Sequence, residues 1–106
     1  RFSSLQVLKA KWNRLTGFAA MLPFLRELDL SHNALQELPV TAGLMKLEVL
    51  ILNGNELYSS WGPLRLLQDL KKLDLSDNKF KWKPSQLGKE LEFLSDMAGL
   101  FFKIKG

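Results

Sequence analysis

The chain has 106 residues, 46% of them hydrophobic and 25% charged, with a net charge of +4 and a pI near 9.5. That is one small domain with a globular balance, too apolar and too evenly charged for a disordered segment. It has no cysteine and a single histidine, His32, which excludes a disulfide scaffold, a thiolate or histidine metal cluster and a cysteine nucleophile. No apolar run approaches the roughly 20 residues of a membrane-spanning helix. The chain begins at Arg1 without an initiator methionine or a secretory pattern, and the expectation is a piece of a longer protein.

Internal repetition is the dominant signal. Twenty-four residues are leucine, and eleven of them fall into one recurring block. Its first copy holds Leu5, Leu8, Ala10 and Asn13. The second holds Leu25, Leu28, Leu30 and Asn33; the third Leu47, Leu50, Leu52 and Asn55; the fourth Leu70, Leu73, Leu75 and Asn78. The asparagines follow one another at steps of 20, 22 and 23 residues, and each is followed two positions later by Leu15, Leu35, Leu57 or Phe80.

A unit of about 22 residues cannot bury its own apolar face, so the units must stack. The Leu-x-Leu pair has period 2, which predicts a short strand with both leucines inward and a parallel sheet across repeats. The asparagine sits where the strand turns, among leucines. A buried amide must find partners, so Asn13, Asn33, Asn55 and Asn78 are expected to bond the backbone of their own and the adjacent repeat as a ladder.

The return segments differ. Gln36-Glu37-Leu38-Pro39 leaves little room for a helix. After Leu57, Ser59 or Ser60 can cap and Pro63 suits a first turn, predicting a short helix to about Asp69. Ser85 followed by Leu87, Leu91 and Leu94 at helical spacing predicts the longest helix at about 86–97. Phe101 to Gly106 alternates like a strand; with Phe102 and Ile104 inward, it reads as a fifth repeat cut off before its asparagine.

The block L-x-x-L-x-L-x-x-N-x-L resembles the leucine-rich repeat family, over nearly the whole chain; Ala10, where the family prefers leucine, is one departure. The resemblance implies an α/β solenoid, with a short-stranded parallel sheet on the concave face and turns plus short helices on the convex face. It implies one domain over 1–106, with repeats near 5–24, 25–46, 47–69, 70–98 and a truncated fifth at 99–106. Repeat length and the missing cysteines look like the intracellular, cysteine-uncapped members, so a cytoplasmic or nuclear setting is expected.

The register assigns the concave positions. Val7, Glu27, Val49, Lys72 and Phe101 precede the first inward residue of each strand. Lys9, Asp29, Ile51, Asp74 and Lys103 lie between the inward pair. Lys11, Ser31, Asn53, Ser76 and Lys105 come next, and Trp12, His32, Gly54 and Asp77 lie beyond. Apolar Val49 and Ile51 on a solvated face, bordered by Asp29 and Asp74 with lysines at both ends, suit a protein partner; the plain alternative is that β-branched residues favour strand pairing. The candidate contact residues are Lys9, Lys11, Trp12, Asp29, Val49, Ile51, Asn53, Lys72 and Asp74.

Asp29, Ser31 and His32 imitate a hydrolase triad, but period 2 sends His32 away from the other two, and Leu-Asp-Leu-Ser recurs at 73–76 as part of the repeat. Asp29 and Asp74, two strands apart, lack a pocket to work as a carboxylate pair. No cofactor, metal or small-molecule substrate is expected. The reading is a non-catalytic protein–protein interaction module, a scaffold, adaptor or regulatory subunit. The alternative is an accessory RNA-binding domain, a class the family includes among RNA-export proteins, using Lys9, Lys11, Trp12 and the Lys79–Lys83 segment, where basic and aromatic residues interleave. A solvated convex loop is the plainer reading of that segment. A receptor ectodomain fragment ranks third, since the chain has no Asn-x-Ser/Thr site and no cysteine.

Overall fold

The computed structural model describes residues 5–19, 21–38, 43–57, 64 and 67–79, and the backbone of 101–103. Five strands, β1 (Val7–Lys9), β2 (Glu27–Asp29), β3 (Val49–Ile51), β4 (Lys72–Asp74) and β5 (Phe101–Lys103), form one sheet. They lie in chain order and pair in parallel throughout. Leu8, Leu28, Leu50 and Leu73 are register partners across it, and the Phe102 backbone continues the row. β1 to β4 are each three residues long because the repeat supplies one inward leucine between two outward residues before the chain turns.

The core follows from the same spacing. Among the described residues, every fully or nearly buried apolar side chain in it is a leucine, from Leu22 to Leu75. Leu5, Leu8, Ala10 and Leu15 of the first repeat are only partly buried against it. A tight turn precedes each inner strand. The Leu25 N–H donates to the Leu22 carbonyl (3.0 Å), Leu47 to Leu44 (3.1 Å) and Leu70 to Leu67 (3.3 Å), with a leucine buried at each end of each turn. Pro23 takes the second place of the first such turn, where its fixed φ fits. Where a short helix is expected to reach about Asp69, Leu67–Leu70 form this turn instead. The rest of that helix, the 86–97 helix and the Pro39 connection lie outside the described residues.

Three asparagines tie neighbouring repeats together. The Asn33 side-chain amide N–H donates to the carbonyls of Leu30 (2.9 Å), Ser31 (3.2 Å) and, across the repeat boundary, Ala10 (3.0 Å). Its Oδ1 accepts from the backbone N–H groups of Asn13 and Leu15, both at 2.9 Å. Asn55 donates to the Leu52 and Leu30 carbonyls and accepts from Leu35 N–H. Asn78 donates to Leu75, Ser76 and Leu52 and accepts from Leu57 N–H. All three are buried. Asn13 departs from the expected ladder. It is exposed, and its amide donates only a long bond to the Lys11 carbonyl (3.3 Å) among the described residues. The amide reaches backward along the solenoid to the preceding repeat, and no described repeat precedes Asn13.

The residue just before each asparagine lies in the left-handed region: Trp12 (φ 64°), His32 (56°), Gly54 (73°) and Asp77 (55°). This turn lets the strand bend into its return segment. Only Gly54 is free of the Cβ penalty there, and its missing side chain has a second use. A Cβ on Gly54 would lie 2.5 Å from His32 Nδ1, so the imidazole of one repeat occupies the space that glycine leaves in the next. On its other side that imidazole stacks on the Trp12 indole, with ring centroids 4.0 Å apart and 4° between planes.

Chemical denaturation is expected to show a loss of about 1–3 kcal/mol for Asn33→Ala or Asn55→Ala, which strand buried backbone groups. Asn13→Ala should stay within about 0.5 kcal/mol. Equal effects at positions 13 and 33 would contradict the ladder described above. Gly54→Ala is expected to cost about 1–2 kcal/mol through its left-handed backbone and to push the imidazole off the indole. His32 is the sole histidine, so its ring proton resonances report this directly: the upfield ring-current shift from Trp12 should disappear in the variant.

Candidate protein-binding face

The register sets the outward side chains in two rows across the sheet. One row runs Val7, Glu27, Val49, Lys72; the other runs Lys9, Asp29, Ile51, Asp74. Phe101 and Lys103 continue these rows by backbone register alone. Val49 and Ile51 are half-buried, both on β3. Ile51 lies between Asp29 and Asp74, and Val49 lies between Glu27 and Lys72. At the first strand Val7 is 49% exposed, and Lys9 leans toward Glu27 across a 4.0 Å ion pair rather than toward Asp29, its register partner. The sequence-predicted residues Lys9, Asp29, Val49, Ile51, Lys72 and Asp74 therefore share one face.

Two of these carboxylates are held in place. Asp29 Oδ1 accepts from the Ser31 N–H (3.0 Å) and hydroxyl (2.7 Å), and Asp74 Oδ1 accepts from the Ser76 N–H (3.0 Å) and hydroxyl (2.6 Å). Period 2 places Ser31 and Ser76 on the outward side, as the sequence implies, yet they are only 2% and 5% exposed. The serine side chain is short and the aspartate two residues earlier is bonded to it, so the serine supports the site without meeting solvent. The third repeat has Ile51 and Asn53 at these two positions and lacks the pair. His32 takes no part in this arrangement, since its ring is stacked on Trp12.

Asn53 is half-buried, and its carbonyl accepts from His32 N–H (2.9 Å). Lys11 is exposed, and Trp12 is 67% exposed despite its stack on His32. These three lie past the strand ends, bordering the face. Of the Lys79–Lys83 segment only Lys79 is described; it is exposed, and its N–H bonds the Leu57 carbonyl on the return side. The remainder lies outside the described residues. An open depression of about 480 Å³ lies among Thr16–Ala19 and Gln36–Leu38, on the return side.

The opposite edge carries interactions that the leucine pattern did not single out. Arg26 Nη1 lies 2.8 Å from Glu48 Oε2, and Lys71 Nζ lies 3.8 Å from Glu48 Oε1, a charge row across three repeats. Lys46 Nζ sits 5.1 Å from the Phe24 ring centroid, and Met21 and Met45 are exposed. The signal was available in the alternation of Arg26, Glu48 and Lys71 at the repeat spacing, one place after the first block leucine. Such exposed pairs contribute little each. Among the described residues no group of His, Asp and Glu is placed to hold a metal ion, and no helix is long and apolar enough to cross a membrane.

A family model described as Leucine Rich repeat matches residues 22–36, and one described as Leucine Rich Repeat matches residues 69–95. The chain is 42% identical over 59 residues to the leucine-rich repeat-containing G-protein coupled receptor 5 of Rattus norvegicus, which is 55% of this chain and 6% of the receptor. It is 35% identical over 79 residues to Toll-like receptor 2 type-2 and to Toll-like receptor 2 type-1 of Gallus gallus, which is 74% of this chain and 10% of each receptor. The chain thus spans a tenth or less of the length of these relatives. Domains of this kind generally mediate protein–protein interaction and are generally not enzymes. With the repeated leucine core, the parallel sheet and these matches in agreement, the chain belongs to the leucine-rich repeat family.

Proposed function

We propose that this chain is a non-catalytic binding module that grips a protein partner on its open sheet face. The observation that carries this reading is the pair Val49 and Ile51, β-branched apolar residues at the middle of that face, set in register between charged side chains. An apolar centre with a charged rim is the usual composition of a protein contact. A site for small-molecule chemistry needs an enclosed pocket, and the depression among Thr16–Ala19 and Gln36–Leu38 is open and on the other side.

The test is site-specific photocrosslinking in cells that make the full-length protein. A photoreactive amino acid at position 72, on the face, is expected to give a discrete protein adduct. The same group at Gln36, exposed on the return side, should give none. Ile51→Lys, which places a charge in the apolar centre, should remove the adduct at position 72 while leaving the melting temperature within a few degrees. Equal adducts from positions 36 and 72, or an adduct indifferent to Ile51→Lys, would overturn the reading.

The setting of the module is a separate matter. A scaffold or adaptor role in the cytoplasm or nucleus rests on the absence of cysteine and of Asn-x-Ser/Thr sites in this sequence. The receptor names of the relatives favour a receptor segment instead. Protease protection on intact cells separates the two. A tag on the full-length protein that survives external protease until the membrane is permeabilised supports the intracellular setting, and one cleaved from outside supports the receptor. The RNA-binding alternative draws on exposed Lys11 and Trp12, but Glu27, Asp29 and Asp74 on the same face repel phosphate.

A further inference from the structure

The face has a spacing as well as a composition. Asp29, Ile51 and Asp74 are register partners on β2, β3 and β4. Adjacent strands lie about 4.8 Å apart, so the two aspartates are separated by roughly 10 Å with the isoleucine midway. Two residues along a strand span about 6.7 Å, which sets Val49 beside Ile51 as a second apolar contact on β3. Each aspartate commits Oδ1 to its serine, and among the described residues neither carboxylate is in an ion pair. The serine bonds fix both side chains before any partner arrives, so little rotamer entropy is left to lose on binding.

Regular structures differ in how they match this ruler. An α-helix advances about 5.4 Å per turn, so residues i and i+7 stand about 10.5 Å apart on one side, with i+3 and i+4 between them. An extended strand repeats a side every 6.7 Å or so, and its third residue, at about 10 Å, points the other way. Only the helix offers a charge, an apolar pair and a second charge on one side at the strand spacing.

On the reading that this face binds a protein, we propose that its partner presents an amphipathic α-helix lying across the strands, with basic residues at i and i+7 and apolar residues at i+3 and i+4. The basic side chains meet Asp29 and Asp74, and the apolar pair covers Val49 and Ile51. Helix-in-groove recognition uses anchors at this periodicity, and the aspartates add the charge complementarity that sets register and excludes acidic partners.

The probe is a labelled, capped, alanine-based helix of about 18 residues with arginine at i and i+7 and leucine at i+3 and i+4, read by fluorescence anisotropy against the 106-residue chain. The matched helix is expected to bind. A peptide with both arginines moved two places along, onto the opposite side, and one broken by a central proline should bind at least tenfold more weakly. Asp29→Asn and Asp74→Asn keep an Oδ1 acceptor for the serine and remove only the charge; each should weaken binding about 3- to 10-fold. If either variant fails to fold, salt on the unaltered chain serves instead: raising NaCl from 50 to 500 mM should weaken the matched helix by about tenfold and the shifted one far less. No binding by the matched helix, or equal binding of the shifted or broken peptide, overturns the proposal. So does RNA displacement of the peptide together with tighter RNA binding by the two asparagine variants. Loss of binding in Ile51→Lys with indifference to both asparagine variants overturns the helix chemistry and leaves the binding face standing. Failure here together with failure of the position-72 crosslink removes both.

Discussion

The structure depends on one group, the asparagine side-chain amide, which can be satisfied only when two repeats lie side by side. Its N–H groups reach the carbonyl of residue i−3 in its own repeat and a carbonyl in the preceding one, and its oxygen takes N–H groups from that neighbour. A buried amide without those partners is costly, so burying the leucines and stacking the repeats in one register are a single requirement. A slip of one residue would turn every inward leucine outward and would also break the amide's bonds. The apolar core supplies most of the driving force; the asparagine supplies the register.

That division of labour explains what could be read from the letters. Leucine spacing alone assigns inward and outward residues, so the two rows of the face follow directly from Leu28, Leu50 and Leu73. What failed was context that repeats do not encode. Asn13 carries the same letter at the same offset as Asn33, but among the described residues its amide reaches only the Lys11 carbonyl, and the letter by itself does not say which backbone groups lie within reach. Ser31 and Ser76 sit on the outward side as period 2 requires, yet a carboxylate two residues earlier closes over them. Leu-Asp-Leu-Ser was visible twice as a repeat, but not as a hydrogen-bonded pair. The left-handed column was half visible. Gly54 advertises a positive φ, while Trp12, His32 and Asp77 adopt the same conformation without a glycine, because the bonds on either side of the turn determine it.

The turn column also shows how a conformational need becomes a packing device. Once each of the first four repeats carries a left-handed residue at this place, side chains there are stacked repeat on repeat at the strand spacing. A flat ring is the shape that fits such a separation. Trp12 and His32 lie face to face at 4.0 Å, and the next place is empty of side chain so that the imidazole has room. The first repeat, whose leucines are only partly buried, is thereby attached by a contact outside the core.

The face can differ from repeat to repeat because none of these constraints touches it. Leucine and asparagine positions are fixed by burial, and the left-handed position by backbone geometry. The outward places of the strands are fixed only by a tolerance for extended backbone. The second and fourth repeats use two of them for an aspartate bonded to a serine, and the third breaks that rule with Ile51 and Asn53. Continuing the rule would have put a third carboxylate between two others at about 5 Å from each, where like charges repel. The isoleucine removes that repulsion and leaves an apolar contact bounded by two oriented charges. The departure from the repeat is therefore where chemical specificity resides, and the rigid repeats on either side give it a defined length.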